Sequence, residues 1–397
     1  MIIDRINPPR IMLALGLLSA LLSGCNSSSS SSSGTGSSSS SIVVESFIND
    51  ASTRLAAFDV EGPRDPLCSP DEASGLPLPL AYMAYRRDET PTRLVVFAHG
   101  ISHEVNRSWV PHMRRELMLA RFLQNNPGNV AFVSTNYRDN YGFPALRGAH
   151  DTIAATLHML EKFPTIETVY LFGVSMGGAV SGTAIAESVD LANGGSKFTE
   201  DGSPLFDYWI DVEGVSSIIE TYSEAAAAAG GTGNETAMAA QSGIERDTGG
   251  SPVQCPLAYE RRSPVFQAAL MKRAGIRAAT VVHAVNDGLV PYNQGRQMAG
   301  ALATATIPTQ FYTIVGVFPG QNPGSTGTGT LGAGEADPLL NLAGHASEAD
   351  AFHPVMRTAF EQLRKMLDGT YNETAPYFEC VIDPNLPPDS CQVDQFQ

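Results

Sequence analysis

Apolar runs and amphipathic segments alternate along most of the chain. Strand-like runs of apolar and β-branched residues occupy Leu94–Ala98, Val130–Ser134, Thr168–Phe172, Tyr208–Val212, Thr280–Ala284 and Gln310–Val315. Helix-like patterns lie between them, near 113–123 and over 151–162, 178–188 and 264–272. Continuous apolar strands are typical of a sheet that is buried on both faces, and alternation with helices favours parallel strands. The pattern therefore predicts an α/β fold, with a mostly parallel sheet flanked by helices.

Two irregular stretches interrupt this alternation. An Ala-rich, Gly-interrupted insertion covers 218–262, and a Gly-, Pro- and Thr-rich stretch runs from Phe318 to Ala343. Long loops in a compact fold often carry function. We expect the first stretch to form a small mobile cap, and both stretches to lie where a substrate would enter.

The N-terminus has the pattern of an export signal. Arg5 and Arg10 precede the apolar stretch Ile11–Leu22, which is too short to span a bilayer, so residues 1–24 are predicted to be a signal peptide. The segment Leu22–Cys25 resembles the bacterial lipobox, which implies that Cys25 becomes the lipid-modified first residue. An ordinary cleaved signal is the alternative.

The residues after the signal divide into a tether and a domain. Residues 25–41 are mostly serine, so we expect a flexible linker. Residues 42–397 have the size of one large α/β domain. Asn26 resembles a sorting signal for the outer membrane. The expected location is the bacterial cell envelope, with the protein held on the outer membrane by its lipid.

The formal net charge is −16, and removal of residues 1–24 leaves 23 basic and 40 acidic residues, or −17. Such a balance argues against nucleic acid as a partner and against attraction to anionic lipid. Solubility is the simplest explanation of the charge. The sequence does not indicate an oligomeric state.

Four cysteines follow Cys25, an even number in an exported chain, which predicts two disulfides. Three pairings are possible. We favour Cys380 with Cys391, which closes a short Pro-rich loop and leaves Cys68 to pair with Cys255. The spacing does not resemble a zinc site, and no metal or cofactor is predicted.

The most informative motif is Gly173-Val174-Ser175-Met176-Gly177. A β-rich run precedes it and a helix of small residues follows it, as in a nucleophile elbow. A serine needs a base to take its proton and an acid to orient that base. Downstream, Asp287 follows one predicted strand and His345 follows the next.

The chain order Ser175, Asp287, His345 resembles that of α/β-hydrolases over about residues 94–367. Residues 259–315 resemble the C-terminal half of the prolyl-oligopeptidase and related esterase group, through Ser263-Pro264, Val290-Pro291 and Gln294. The resemblance implies that Asp287 is the acid and His345 the base. No β-propeller precedes the domain, and the elbow Ser175-Met176-Gly177-Gly178 is more common among lipases and esterases.

Two of these roles have rival candidates. Asp211 and Glu213, at the end of the preceding strand, are rivals for the acid, and His353 is the rival for the base, although it falls in a predicted helix. The remaining histidines have no partner motif and are interpreted as ordinary residues: His103, His112, His150, His158 and His283.

Acyl transfer also requires two hydrogen-bond donors for the oxyanion. The resemblance implies the backbone amide of Met176, which follows the nucleophile, and that of Ile101, which follows His99-Gly100. His99 itself is expected to hold that loop. The sequence thus predicts a lipid-anchored serine hydrolase that cleaves carboxylic esters, of fatty or short-chain acids or polyesters. A serine peptidase, an acyltransferase using the same acyl-enzyme and an inactive binding lipoprotein are the alternatives.

Overall fold

A computed structural model describes residues 42–56, 58, 68, 75–101, 104–107, 129–232, 235–315, 344–345, 353–383 and 392–393. The chain divides between residues 39 and 40, and every described residue belongs to the second unit. Several predictions fall outside the described residues: the signal, Cys25, the serine-rich linker, the helix near 113–123, the stretch from Phe318 to Ala343, and Cys391.

The described strands form one sheet of ten. They are β1 (Ile42–Ile48), β2 (Leu80–Arg86), β3 (Arg93–Ala98), β4 (Val130–Thr135), β5 (Thr168–Val174), β6 (Tyr208–Val212), β7 (Ala278–Ala284), β8 (Thr309–Ile314), β9 (Tyr377–Ile382) and β10 (Gln392–Val393). Their order in the sheet is β1-β2-β4-β3-β5-β6-β7-β8-β9-β10. Neighbours from β4 to β9 pair in parallel, whereas β1, β2 and β10 pair antiparallel. The predicted mostly parallel sheet is confirmed.

The described helices lie between these strands. They are α1 (Ala51–Leu55), α2 (Ala145–Lys162), α3 (Met176–Glu187), α4 (Ile218–Thr232), α5 (Glu235–Thr248), α6 (Pro256–Arg261), α7 (Pro264–Arg273), α8 (Tyr292–Thr304) and α9 (Pro354–Leu367). Within the described ranges, none of them is both long and apolar enough to cross a membrane.

Alternating side chains along each strand build two cores, one on each face of the sheet. Leu94 and Val96 of β3 face the core formed with α2, α3, α7 and α8. Val95 and Phe97 face the opposite core, where α9 contributes Phe360. Both faces are therefore covered, which explains the continuous apolar runs of the central strands. The carboxyl ends of the parallel strands meet along one edge, and the candidate site lies there.

The structure corrects the predicted start of α2. The helix begins at Ala145 rather than at residue 151. In the added first turns of the helix, Arg147 is buried beside Asp247, with Nε 3.9 Å from a carboxylate oxygen. A Cβ at Gly148 would lie 3.0 Å from Val180, so the glycine allows α2 to approach α3 closely.

The insertion over 218–262 consists of the three helices α4, α5 and α6. Helices α4 and α5 pack on each other. The end of α5 is fixed by Asp247, which accepts hydrogen bonds from Arg262 at 2.7 Å and from the backbone amide of Leu146 at 3.1 Å. The cap is therefore a helical unit joined to α2 through buried charges.

The structure contains the predicted disulfide between Cys68 and Cys255, whose Cα atoms are 5.6 Å apart. It connects the segment before β2 to the N-cap residue of α6, 187 residues later in the chain. Cys380 in β9 is also disulfide-bonded.

Candidate active site

Ser175 occupies the sharp turn between β5 and α3. Its backbone angles are φ 57° and ψ −126°, a left-handed conformation that is strained for a residue with a side chain. The turn is held from both sides: the amide of Ser175 donates to the carbonyl of Val212 at 3.0 Å, and its own carbonyl accepts from Gly178 at 2.8 Å and from Val215 at 3.0 Å. These three hydrogen bonds hold Ser175 in its strained conformation, as is typical of the turn in a nucleophile elbow.

The two glycines of the motif are required by close packing. A Cβ at Gly177 would overlap the carbonyl oxygen of Ala98, at the end of β3. A Cβ at Gly173 would overlap Ser181 Oγ and the carbonyl of Gly177. The pattern therefore reflects how tightly the turn is wound against the neighbouring strand and its own helix.

The two candidate oxyanion donors lie on either side of this turn. Met176 is the first residue of α3, where backbone amides lack partners within the helix and the helix dipole favours negative charge. Ile101 follows β3, and both residues line the cavity that contains Ser175. His99 supports the loop: its ring stacks on Tyr137 with centroids 4.1 Å apart, and its Nδ1 donates to the carbonyl of Gly100 at 2.9 Å.

Asp287 and His345 form a direct pair. His345 Nδ1 donates to Asp287 Oδ2 at 2.8 Å, and both side chains are largely buried. The other carboxylate oxygen of Asp287 accepts the amides of Leu289 at 2.8 Å and Val290 at 2.9 Å. These contacts orient the acid toward the histidine. With Nδ1 protonated, the Nε2 atom of His345 is left as the proton acceptor.

The environment keeps Asp287 ionised. Burial alone would raise its pKa, but the nearby positive charge of His345, together with hydrogen bonds from His283 and His345, outweighs burial. The net result is a pKa well below the usual range for aspartate. The acid can therefore stabilise an imidazolium at neutral pH.

A cavity of about 310 Å³ opens at Ser175. Its wall is mostly apolar. Most of it comes from the turn at Met176, the cap helices α4 and α5, and the loop Gly288–Pro291 that follows Asp287, and Ile101, Phe143 and Val215 complete it. The nucleophile and the acid loop thus border the same space. An apolar enclosure of this size suits a small organic group.

The elbow follows β5, the acid follows β7 and the base follows β8, so the order Ser, Asp, His is placed along the carboxyl edge of a mostly parallel sheet. The chain folds as an α/β-hydrolase. No protein-family model and no curated protein matches this chain.

Solved structures similar to this chain include esterases and peptidases. Carboxyl esterase 2 of the fungus Tuber melanosporum has 12% identity and a TM-score of 0.48, covering 86% of this chain and 90% of that one. The Pyrobaculum calidifontis esterase has 16% identity and a TM-score of 0.46, covering 74% and 81%. Pyrococcus horikoshii acylaminoacyl peptidase has 14% identity and a TM-score of 0.41, covering 59% of this chain and 34% of the peptidase. The chain therefore spans about a third of that peptidase.

Two further residues contact the acid–base pair. Glu213, directly after β6 with φ 48°, places Oε2 3.6 Å from His345 Nδ1, and its Oε1 accepts the amide of Ala284 at 3.2 Å. His283 donates from Nε2 to the carbonyl of Val290 at 2.8 Å and lies 3.5 Å from Asp287 Oδ2. The sequence analysis did not indicate this contact of His283, which arises because the turn after β7 brings Asp287 back against this strand.

Asp211 and His353, the remaining candidates for the acid and the base, have different surroundings. Asp211 is buried beneath α3, where a Cβ at Gly178 or Gly214 would contact its carboxylate, and burial raises its pKa to about 7. His353 does not lie within a helix as predicted: its Nδ1 accepts the amide of Val355 at 3.4 Å and so caps the start of α9. Of the two rival acids, Glu213 is the one beside His345.

Glu213, Asp287 and His345 also place one potential metal ligand each within 4.8 Å of one another. The 2.8 Å contact between Asp287 and His345 Nδ1 is an ordinary charge-assisted hydrogen bond. The same nitrogen cannot donate that proton and bind a metal. The geometry therefore fits an acid–base network.

Proposed function

We propose that this protein is a serine hydrolase that cleaves carboxylic esters through an acyl-enzyme. Ser175 attacks the ester carbonyl and its proton passes to His345 Nε2, while Asp287 holds the imidazolium. The amides of Met176 and Ile101 stabilise the oxyanion, and the proton then passes to the leaving alcohol. Water, activated by His345, attacks the acyl-enzyme and releases the acid.

The observation that carries this proposal is the strained Ser175 turn on the same cavity as the loop of Asp287, whose carboxylate holds His345. An inactive binding lipoprotein would not need to keep an acid and a histidine in hydrogen-bond contact next to a serine in a strained turn. The mostly apolar cavity wall supports an ester whose bound portion includes an aliphatic chain.

Labelling with a fluorophosphonate probe tests the proposal. We expect covalent labelling at Ser175, located by peptide mass, and no labelling of Ser175→Ala. Ser223→Ala is the matched control, because Ser223 is exposed on the cap helix α4 and, among the described residues, donates to Ile219 of its own helix. Labelling that survives in folded Ser175→Ala would contradict the assignment.

A peptidase is the second candidate, through the resemblance over residues 259–315. Nitrophenyl esters and aminoacyl anilides of matched acyl groups separate the two functions. We expect efficient turnover of the esters only. Preferential turnover of the anilides would favour the peptidase, and dependence of the rate on an added alcohol or amine acceptor would identify a transferase.

We also propose export to the cell envelope, with a lipid on Cys25 as the anchor, on the outer membrane. The lipobox-like segment Leu22–Cys25 supports this proposal. Expression of the full chain in a bacterium with radiolabelled palmitate tests it. We expect label in the membrane fraction for the wild type and loss of label for Cys25→Ser, and an unlabelled wild type would contradict the anchor.

A further inference from the structure

Glu224 is the one ionisable side chain among the described residues that line the cavity at Ser175. It lies on the cap helix α4, one turn after Glu220. Apart from Ser175 and Thr221, the other described lining residues are apolar or are glycine. A carboxyl group on the cap thus borders the same cavity as the nucleophile, in a mostly apolar wall.

The two glutamates of this helix have different surroundings. Glu220 is engaged by side-chain amides of α8: Gln297 donates to it at 2.9 Å and Asn293 at 3.5 Å. Glu224 forms no ion pair with any residue in the described part of the chain. It is partly exposed to solvent, and it also lines the cavity. Burial and the charge of Glu220 raise the pKa of Glu224 to about 7, although a hydrogen bond from Gln294 opposes the change.

A carboxylate that borders a mostly apolar cavity is partly desolvated, and a cation that pairs with it offsets this cost. A cation that brings its own apolar chain would satisfy both the carboxylate and the cavity wall. The net charge of −16 additionally favours the approach of cations. The cavity therefore has the chemistry of a site for an organic ammonium group.

We propose that Glu224 is a substrate-binding residue and that the portion of the substrate held in this cavity carries an ammonium group on an aliphatic chain. This inference rests on the proposed hydrolase function and names its substrate class. The ammonium group is bound by a charge-assisted hydrogen bond and takes no part in bond making or breaking. Glu224 thus selects the substrate, whereas Ser175 performs the chemistry.

Competition between matched inhibitors tests this subsite. Hexylammonium and 1-hexanol have the same chain and differ in the charged head, and each is titrated against hydrolysis of the neutral ester nitrophenyl butyrate. For the wild type we expect hexylammonium to inhibit at least tenfold more tightly than 1-hexanol. Glu224→Gln should reduce this preference to less than twofold, and Glu224→Asp should keep part of it.

Glu220→Gln is the matched control on the same helix, and we expect it to retain the tenfold preference and the turnover of the neutral ester. Circular dichroism and thermal unfolding establish that each variant is folded. Equal inhibition by the two compounds in the wild type, or an undiminished preference in folded Glu224→Gln, would overturn the subsite. If neither ester turnover nor labelling of Ser175 is found, the hydrolase function itself fails, which is a different result from turnover without ammonium preference.

Discussion

His345 approaches two carboxylates through a single ring nitrogen. Its Nδ1 lies 2.8 Å from Asp287 Oδ2 and 3.6 Å from Glu213 Oε2. Only the first distance is that of a hydrogen bond. Asp287 is therefore the group that fixes the tautomer, while Glu213 adds negative charge nearby and positions the backbone of Ala284.

This difference in distance predicts that substitution of Asp287 lowers kcat more than substitution of Glu213. Asp287→Asn should lower kcat by about 10⁴-fold, since the amide stabilises the wrong tautomer of the histidine. Glu213→Gln keeps an oxygen for the amide of Ala284, so kcat should fall by less than about tenfold for loss of a charge without a hydrogen bond. Steady-state kinetics on a nitrophenyl ester checks both variants. A larger loss for Glu213→Gln than for Asp287→Asn would make Glu213 the orienting acid.

Contacts between residues that meet only at the carboxyl edge of the folded sheet are difficult to predict from sequence. The elbow motif and the order Ser175, Asp287, His345 are local or sequential signals, and the structure places all three at the carboxyl edge. His283 carries no such signal. Its contact with Asp287, four residues later, depends on how the turn after β7 folds back, which a pattern of apolar positions does not record.

At the scale of elements, the cap is linked to the elbow helix by a buried ion pair. Arg261, the last residue of α6, contacts both carboxylate oxygens of Glu187, the last residue of α3, at 2.6 and 2.7 Å. Burial would raise the pKa of Glu187, but the hydrogen bonds and charge of Arg261 and His150 lower it to about 2. The ionised form is thus strongly favoured in the folded protein.

A carboxyl group whose pKa is lower in the folded protein than in the unfolded chain stabilises the fold at pH values above its unfolded pKa. This stabilisation is lost as the pH falls through the pKa of the folded state. For Glu187 this window runs from the ordinary glutamate pKa of 4.5 down to about 2. The shift corresponds to roughly 3 kcal/mol in the free energy of unfolding. Urea unfolding between pH 2 and 6 should show a shallower loss of stability in Glu187→Gln than in the wild type.

Glu161→Gln is the control for this prediction, because Glu161 pairs with Arg54 at 2.8 Å but is 69% exposed. We expect it to change the free energy of unfolding by less than about 1 kcal/mol at every pH. Parallel pH profiles for the wild type and Glu187→Gln would contradict the proposed contribution of the buried pair.

The central strands of the sheet could be predicted from the sequence, whereas the strands toward its edges could not, and the difference follows from their burial. Strands such as β6 and β7 are fully buried, so their sequences are mostly apolar. The edge strand β1 is half-exposed and includes Glu45 and Ser46, and its pairing with β2 depends on residues far away in the chain. Periodicity alone therefore did not identify β1, β2, β9 or β10.

At the scale of the whole molecule, the disulfide between Cys68 and Cys255 closes a loop that contains the elbow and most of the cap. Removing a native disulfide typically costs about 2–5 kcal/mol, in part because the unfolded chain gains freedom. Cys68→Ser/Cys255→Ser should therefore unfold at lower temperature than the wild type under non-reducing conditions, as measured by calorimetry. Identical unfolding temperatures would show that the bond adds no stability.

The proposed hydrolase depends on Ser175 acting as the nucleophile, and turnover of a nitrophenyl ester by Ser175→Ala tests this most directly. We expect kcat to fall by roughly four to six orders of magnitude, since a catalytic triad acts as a unit. The variant should unfold at or above the wild-type temperature, because alanine removes no core contact. Retention of more than a small fraction of wild-type turnover in the folded variant would contradict the account.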